Sequence, residues 1–188
     1  MMLIDDIKQR LKQYFSDLET ISDTSKNDGD TIRVSNSTIK VINGDKFQEE
    51  YYNKLVLKLN TVKVNPPKSV DALYIDENNE IYFIEFKIGK NIKSDELKLK
   101  SIETLLSFMD ICKVDIDFAR KYITYIVAYK ITSSFSKIQE GATENSSMPL
   151  KDFGLNRLKG IYFKEVMTFT SDKFEEHIKK HNWQDIKI

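Results

Sequence analysis

Cysteine, histidine, arginine, glycine and proline are all scarce in this chain. Cys112 is the single cysteine, so no intramolecular disulfide and no Cys-rich zinc site can form, and a reducing, cytoplasmic setting is expected. Six glycines and three prolines exclude a collagen-like or Gly/Pro-rich low-complexity chain. Arginine is confined to Arg10, Arg33, Arg120 and Arg157, which leaves few side chains for bidentate reading of guanine. An excess of one charge is also missing: Lys+Arg and Asp+Glu stand at 29 each, so a polyanion must be held by a local patch and not by a global field. No apolar run reaches the length of a membrane span, and MMLIDDIKQRLKQYF carries acids where a signal peptide needs a basic region and a long apolar one. No membrane partner is expected.

What is present suits one α/β domain. The 188 residues are the usual size of a single domain, and 40% hydrophobic residues with 21 aromatics (nine Tyr, eleven Phe, one Trp) supply a sizeable core. Leu3, Ile4, Ile7, Leu11, Phe15, Leu18 and Ile21 step by mostly three or four, which predicts a helix over 3–21. TIRVSNSTIKVI (31–42) alternates as a small hairpin would, and Asp45 with Gln48 forms a capping-box pattern ahead of a helix over 46–59. SVDALYID (69–76) and EIYFIEFKI (80–88) flank Glu77, Asn78 and Asn79 and predict a β-hairpin. Because both faces of the second run are apolar, helices are expected above and below the sheet. Ser94 as cap begins a helix to about 112, and RKYITYIVAYKI (120–131) predicts a core strand. A polar stretch at 132–149 predicts a flexible surface loop, 160–170 a strand and 171–183 a helix. Neither internal repeats nor coiled-coil heptads are found.

Three charges interrupt this apolar pattern: Asp71 in SVDALYI, and Glu85 and Lys87 in IYFIEFKI. Glu85 and Lys87 are two residues apart, so they leave one face of a strand about 7 Å apart. A three-residue hairpin loop sets Asp71 directly opposite Glu85. Two carboxylates that close repel unless a cation lies between them, and oxygen donors suit a hard divalent ion, Mg²⁺ or Mn²⁺. The acidic-x-Lys tripeptide also occurs at 6–8, 96–98 and 185–187. Only 85–87 lies on an apolar strand with an acidic neighbour. The alternative is a structural ion pair in which Lys87 neutralises both acids with no metal.

The helix, the Asp on a first strand and the Glu-Phe-Lys on a second, followed by helix and strand, resemble the PD-(D/E)XK, or restriction-endonuclease-like, nuclease superfamily over about residues 44–130. That resemblance implies a mixed central sheet flanked by helices and a metal-dependent nuclease acting on nucleic acid, DNA favoured. It implies Asp71 and Glu85 as metal ligands, the Phe86 carbonyl as a further one, and Lys87 as the residue that orients or activates the attacking water. A Glu of the preceding helix often joins such sites, as in archaeal Holliday-junction resolvases, which makes Glu49 and Glu50 candidates. Glu49 leans nearer the apolar face, with Tyr52 and Val56 three and seven residues on. Val70 stands where the superfamily has Pro before its Asp. A catalytically silent module of the same fold, binding a protein or nucleic-acid partner, is the competing expectation, and a homo-oligomer is compatible with either.

Between residues 87 and 100 five lysines (87, 90, 93, 98 and 100) face only Asp95 and Glu96. Lys90, Lys93, Lys98 and Lys100 are therefore candidate phosphate contacts, with an ordinary solvated helix face as the alternative. His177 and His181 lack a third ligand and are expected on the surface. Cys112 is expected to be a buried structural thiol, and Phe47, Tyr51 and Tyr52 to be core rather than a base-stacking platform. No Gly-rich phosphate loop or dinucleotide fingerprint is present.

Overall fold

A computed structural model describes residues 2–26, 32–60, 65–89, 91–131 and 151–186. In chain order the elements are α1 (Met2–Leu11), β1 (Glu19–Thr20), α2 (Ile21–Thr24), β2 (Lys40–Asn43), α3 (Gly44–Leu59) and β3 (Ala72–Ile75). They continue with β4 (Ile81–Ile88), α4 (Ser94–Cys112), α5 (Ile116–Tyr122), β5 (Ile123–Lys130), β6 (Glu165–Thr170) and α6 (Ser171–Lys180). The strands form one mixed sheet in the order β1-β2-β3-β4-β5-β6, antiparallel from β1 to β4 and parallel from β4 to β6.

The β3–β4 hairpin sets the centre of the sheet. Asp76 Oδ1 accepts from the backbone N–H groups of Asn78 (2.8 Å) and Glu80 (2.9 Å), and Asn79 adopts a left-handed φ of 64°. Asn tolerates that conformation, and its use in a three-residue loop matches the right-handed twist of the strands. Ile75 then pairs with Ile81 and Ala72 with Ile84. One further step along this register brings Asp71 opposite Glu85.

Both faces of β4 are covered. Phe83 packs edge-on against Phe108 of α4 at 5.4 Å, while Phe86 and Tyr82 on the opposite face meet Phe174 (5.6 Å) of α6 and Trp183 (4.7 Å) just beyond it. Neighbouring side chains of one strand therefore enter two different cores, the period-two geometry expected of a two-sided sheet. Each large aromatic that is fully buried contributes about 1.5–3 kcal/mol by removal from water.

Several boundaries differ from the sequence expectations. The predicted 3–21 helix stops at Leu11 and continues as a 3-10 segment over Lys12–Asp17, after which Leu18 turns extended. Ile4, Ile7, Leu11 and Phe15 are all buried, so one apolar stripe spans both helix types and its spacing does not mark the change. Of the 31–42 hairpin, residue 31 lies outside the described residues. Lys40–Asn43 pairs instead with Glu19–Thr20 and with β3, while Ser35 and Ser37 accept nearby backbone N–H groups in irregular chain. Such local side-chain bonds compete with a strand ladder.

Helix α3 is capped by Asn43, whose Oδ1 accepts from Lys46 N at 3.0 Å, and not by the Asp45/Gln48 box. Ser94 is the first residue of α4 and not its cap; its hydroxyl donates to the Phe153 carbonyl at 2.5 Å. Asp115 caps α5, which takes residues 120–122 from the predicted strand. Residues 160–163 turn before β6, and α6 ends at Lys180 ahead of left-handed Asn182. The loop expected at 132–149 lies outside the described residues. Among the described residues no helix is long and apolar enough to cross a membrane.

The start of α3 is bound tightly to the strand that carries Asp71. Gly44 N–H donates to the Asp71 carbonyl at 3.0 Å, and a Cβ on Gly44 would lie 1.7 Å from the Val70 carbonyl oxygen. Gly44→Ala is therefore expected to destabilise the fold by about 1–3 kcal/mol or more, as overpacking against backbone does. Chemical denaturation of the variant checks this, and an unchanged midpoint and slope would contradict the close approach.

Candidate active site

Asp71, Glu85 and Lys87 converge because one hairpin register and one strand face put them together, and α4 adds a fourth group from above. Glu85 is fully buried. Its Oε1 accepts from both Lys87 Nζ and Lys100 Nζ at 2.8 Å. The Lys100 ammonium also reaches Asp71 Oδ1 at 3.3 Å, so one cation bridges the two carboxylates. Asp71 Oδ2 accepts from Phe86 N at 2.6 Å, which ties the carboxylate to the backbone of β4. Lys87 has a second partner outside the pair, Glu96 Oε1 at 3.4 Å. Gly89, with a φ of 112°, then turns the chain away and donates its N–H to the Lys130 carbonyl.

Burial dominates the electrostatics. It raises the Asp71 pKa, against the pull of Lys100, of the Phe86 N–H and of Lys87. Burial and then the Asp71 charge push Glu85 up to about 7. For Lys100, burial opposes the ammonium, but the Asp71 and Glu85 charges and their hydrogen bonds outweigh it and raise its pKa above the ordinary lysine value. The nearby Lys87 charge lowers the Glu96 pKa.

Asp71, Phe86, Lys87 and Lys100 line an open polar cleft of about 320 Å³, with Glu19, Asp45 and Lys26 among its walls, while the fully buried Glu85 does not line it. Glu19 accepts from Asn43 Nδ2 at 2.9 Å and pairs with Lys46 at 3.0 Å, and Asp45 accepts from the Ser69 hydroxyl. Neither Glu49 nor Glu50 lines this cleft: Glu49 is exposed, and Glu50 lies 3.9 Å from Lys54. The reason is the helix rise. Gly44 is the residue of α3 that touches Asp71, and each later residue climbs about 1.5 Å along the axis, so Asp45 stays beside the site while positions 49 and 50 have left it.

Of the other lysines, Lys93 is exposed just before α4, Lys98 pairs with Asp95 at 3.4 Å, and Lys90 lies outside the described residues. Lys100, expected among outer phosphate contacts, sits inside the carboxylate pair. Its signal was in the sequence: Leu97, Lys100, Thr104 and Phe108 follow helical spacing, with Leu97, Thr104 and Phe108 buried, so Lys100 is a charge on the sheet-facing stripe of α4. Glu19 had no comparable signal, because a two-residue strand positions it, and Asp45 was legible only as a capping residue. His177 is buried against Phe169 (4.9 Å) and His181 (4.3 Å), contrary to the surface expectation, and burial lowers its pKa to about 4. Cys112 is buried, its thiol pushed up to about 12 by that burial. Phe47 and Tyr52 are core, and Tyr51 donates to Asp110 at 2.9 Å.

Whether the residues suit a divalent cation is decided by their donors. Among the described residues, the buried Glu85 Oε2 has no hydrogen-bond partner, while both carboxylates already share an ammonium. An orphaned buried carboxylate oxygen beside a second carboxylate is a place that favours positive charge. Among the described residues no three His, Cys, Asp or Glu side chains are grouped to hold a metal, so two carboxylates and backbone or water oxygen would form the set. Comparison of the chain with protein-family models, curated proteins and solved structures returned no match.

The raised Glu85 pKa fixes the sign of a pH effect. The fold binds the Glu85 proton more tightly than the unfolded chain does, so this contribution to stability is complete below pH 4.5 and is lost as pH rises through about 7. Wild type should therefore lose stability relative to Glu85→Gln as pH rises from 4.5 to 7 in metal-free buffer. Denaturation midpoints of the two proteins across that range measure it, and a constant difference would contradict the assignment.

Proposed function

We propose that this protein is a divalent-metal-dependent nuclease that hydrolyses nucleic-acid phosphodiester bonds, with DNA favoured by the restriction-endonuclease-like resemblance. The observation that carries the reading is that Asp71, Phe86 and Lys87 line an open polar cleft, with the Glu85 carboxylate held against Lys87 directly behind them. The order of elements supports it: Asp71 before β3, Glu85-Phe86-Lys87 on β4, then α4 and a parallel β5.

In this reading Asp71, Glu85 and the Phe86 carbonyl hold Mg²⁺ or Mn²⁺. The ion supplies stabilisation of charge on the phosphate and lowers the pKa of bound water. Lys87, oriented by Glu85 and Glu96, positions the attacking water against the phosphorus. Lys93 and Lys98, with Lys90, contact flanking phosphates and make binding salt-dependent without reading sequence. A catalytically silent module is the second reading, and Lys100 seated between the carboxylates favours it.

Cleavage of a panel of single- and double-stranded DNA and RNA with Mg²⁺ or Mn²⁺ separates the two. The nuclease reading expects metal-dependent cleavage by wild type, and a loss of about 10²-fold or more in Lys87→Met with nucleic-acid affinity nearly retained. Binding without cleavage of any substrate would support the silent module, and full cleavage by Lys87→Met would remove Lys87 from the reaction.

A further inference from the structure

We infer that Lys100 is the resident counter-cation of the Asp71–Glu85 pair, and that a divalent ion enters this site by displacing its ammonium. The inference rests on the metal-binding reading above and adds how the site is regulated: α4 keeps it closed to metal by filling it with a charge of its own. The Lys100 Nζ lies 2.8 Å from Glu85 Oε1 and 3.3 Å from Asp71 Oδ1, and Mg²⁺ needs carboxylate oxygens at about 2.0–2.1 Å. Both cations draw on the same two carboxylates. They cannot occupy the gap together without close like-charge repulsion.

The two lysines differ in what they lose when metal arrives. Lys87 keeps Glu96 at 3.4 Å if Glu85 turns to an ion. Among the described residues, Lys100 has salt-bridge partners only in Asp71 and Glu85. Its side chain is 17% exposed and lines the cleft, so its flexible four-carbon stem has a route into solvent.

Charge counting selects the same lysine. Asp71, Glu85, Glu96 and Lys87 together carry a formal charge of about −2, the complement of one divalent ion. With Lys100 retained, the same cluster plus metal would be left positive in a largely buried place. With Lys100 absent and no metal, the acids lack their bridge, and among the described residues Glu85 Oε2 already has no partner. Lys100 therefore completes the metal-free fold, and metal completes the displaced state.

The consequence is a weakened apparent metal affinity. If the displaced conformer is about a tenth or less of the metal-free population, deleting the ammonium should tighten binding about tenfold or more. Isothermal calorimetry of wild type and Lys100→Met with Mg²⁺ and with Mn²⁺ alone reads this directly. Thermal melts should show the metal-free variant below wild type and a larger metal-induced rise for the variant. Should Lys100→Met fail to fold, wild type labelled with ¹³Cε-lysine serves instead: Mg²⁺ should shift the Lys100 resonance to that of a solvated lysine while Lys87 stays paired. Equal metal affinity in both proteins, or a Lys100 resonance unmoved at saturating Mg²⁺, would overturn the displacement and leave the metal-binding reading standing. No binding of either ion to either protein would remove the metal-binding reading itself.

Discussion

A fully buried carboxylate in the middle of a central strand dictates which groups must surround it. Glu85 is 0% exposed and lies between parallel β5 and antiparallel β3. Leaving such a charge unpaired costs several kcal/mol, commonly about 3–5 kcal/mol when one partner of a buried pair is removed. The fold meets that cost with two ammonium groups from different elements, Lys87 two residues along the same strand and Lys100 from the helix above. Replacing all of them with apolar residues of similar volume would be the cheaper solution for stability alone. Retaining an ionic cluster under an open cleft is what gives the site its functional reading.

The scaffolding around it is correspondingly rigid. Phe83, on the same strand face as Glu85, is locked against Phe108 and Phe163, so α4 and the segment before β6 hold the wall from which Lys100 projects. On the reverse face Tyr82, Phe86, Phe174, His177 and Trp183 form a continuous aromatic layer. Side chains in such packing have little freedom to shift β4.

How much of this was legible in the sequence follows from range. The β3–β4 hairpin was readable, since period-two alternation and the Glu77-Asn78-Asn79 loop fix its register locally, and that register brings Asp71 to Glu85. Helices α3 and α4 were readable in existence though not in their caps: Asn43 caps α3 two positions before Asp45, an equally good capping residue, and α4 begins after Lys93, whose side chain makes no capping bond. The N-terminal forty residues were misread: a single stripe covers an α-helix and a 3-10 turn, and β1 is only two residues long. Glu19 reaches the cleft through β1, which leaves no periodic trace, and Asp45 through the first turn of α3, where the sequence showed only a capping pattern. Lys100 was visible as a charge on an apolar helix stripe, but its partner lies across a tertiary contact that spacing alone does not supply.

As proposed, Asp71 and Glu85 form one cation site that Lys100 fills until a divalent ion replaces it. Crystals of the wild-type protein soaked in Mn²⁺ and measured at the manganese absorption edge test it most directly. The expected result is an anomalous peak ligated by Asp71 and Glu85, with the Lys100 side chain turned out into the cleft. A Lys100 ammonium still bridging the two carboxylates, with no manganese peak between them, would contradict it.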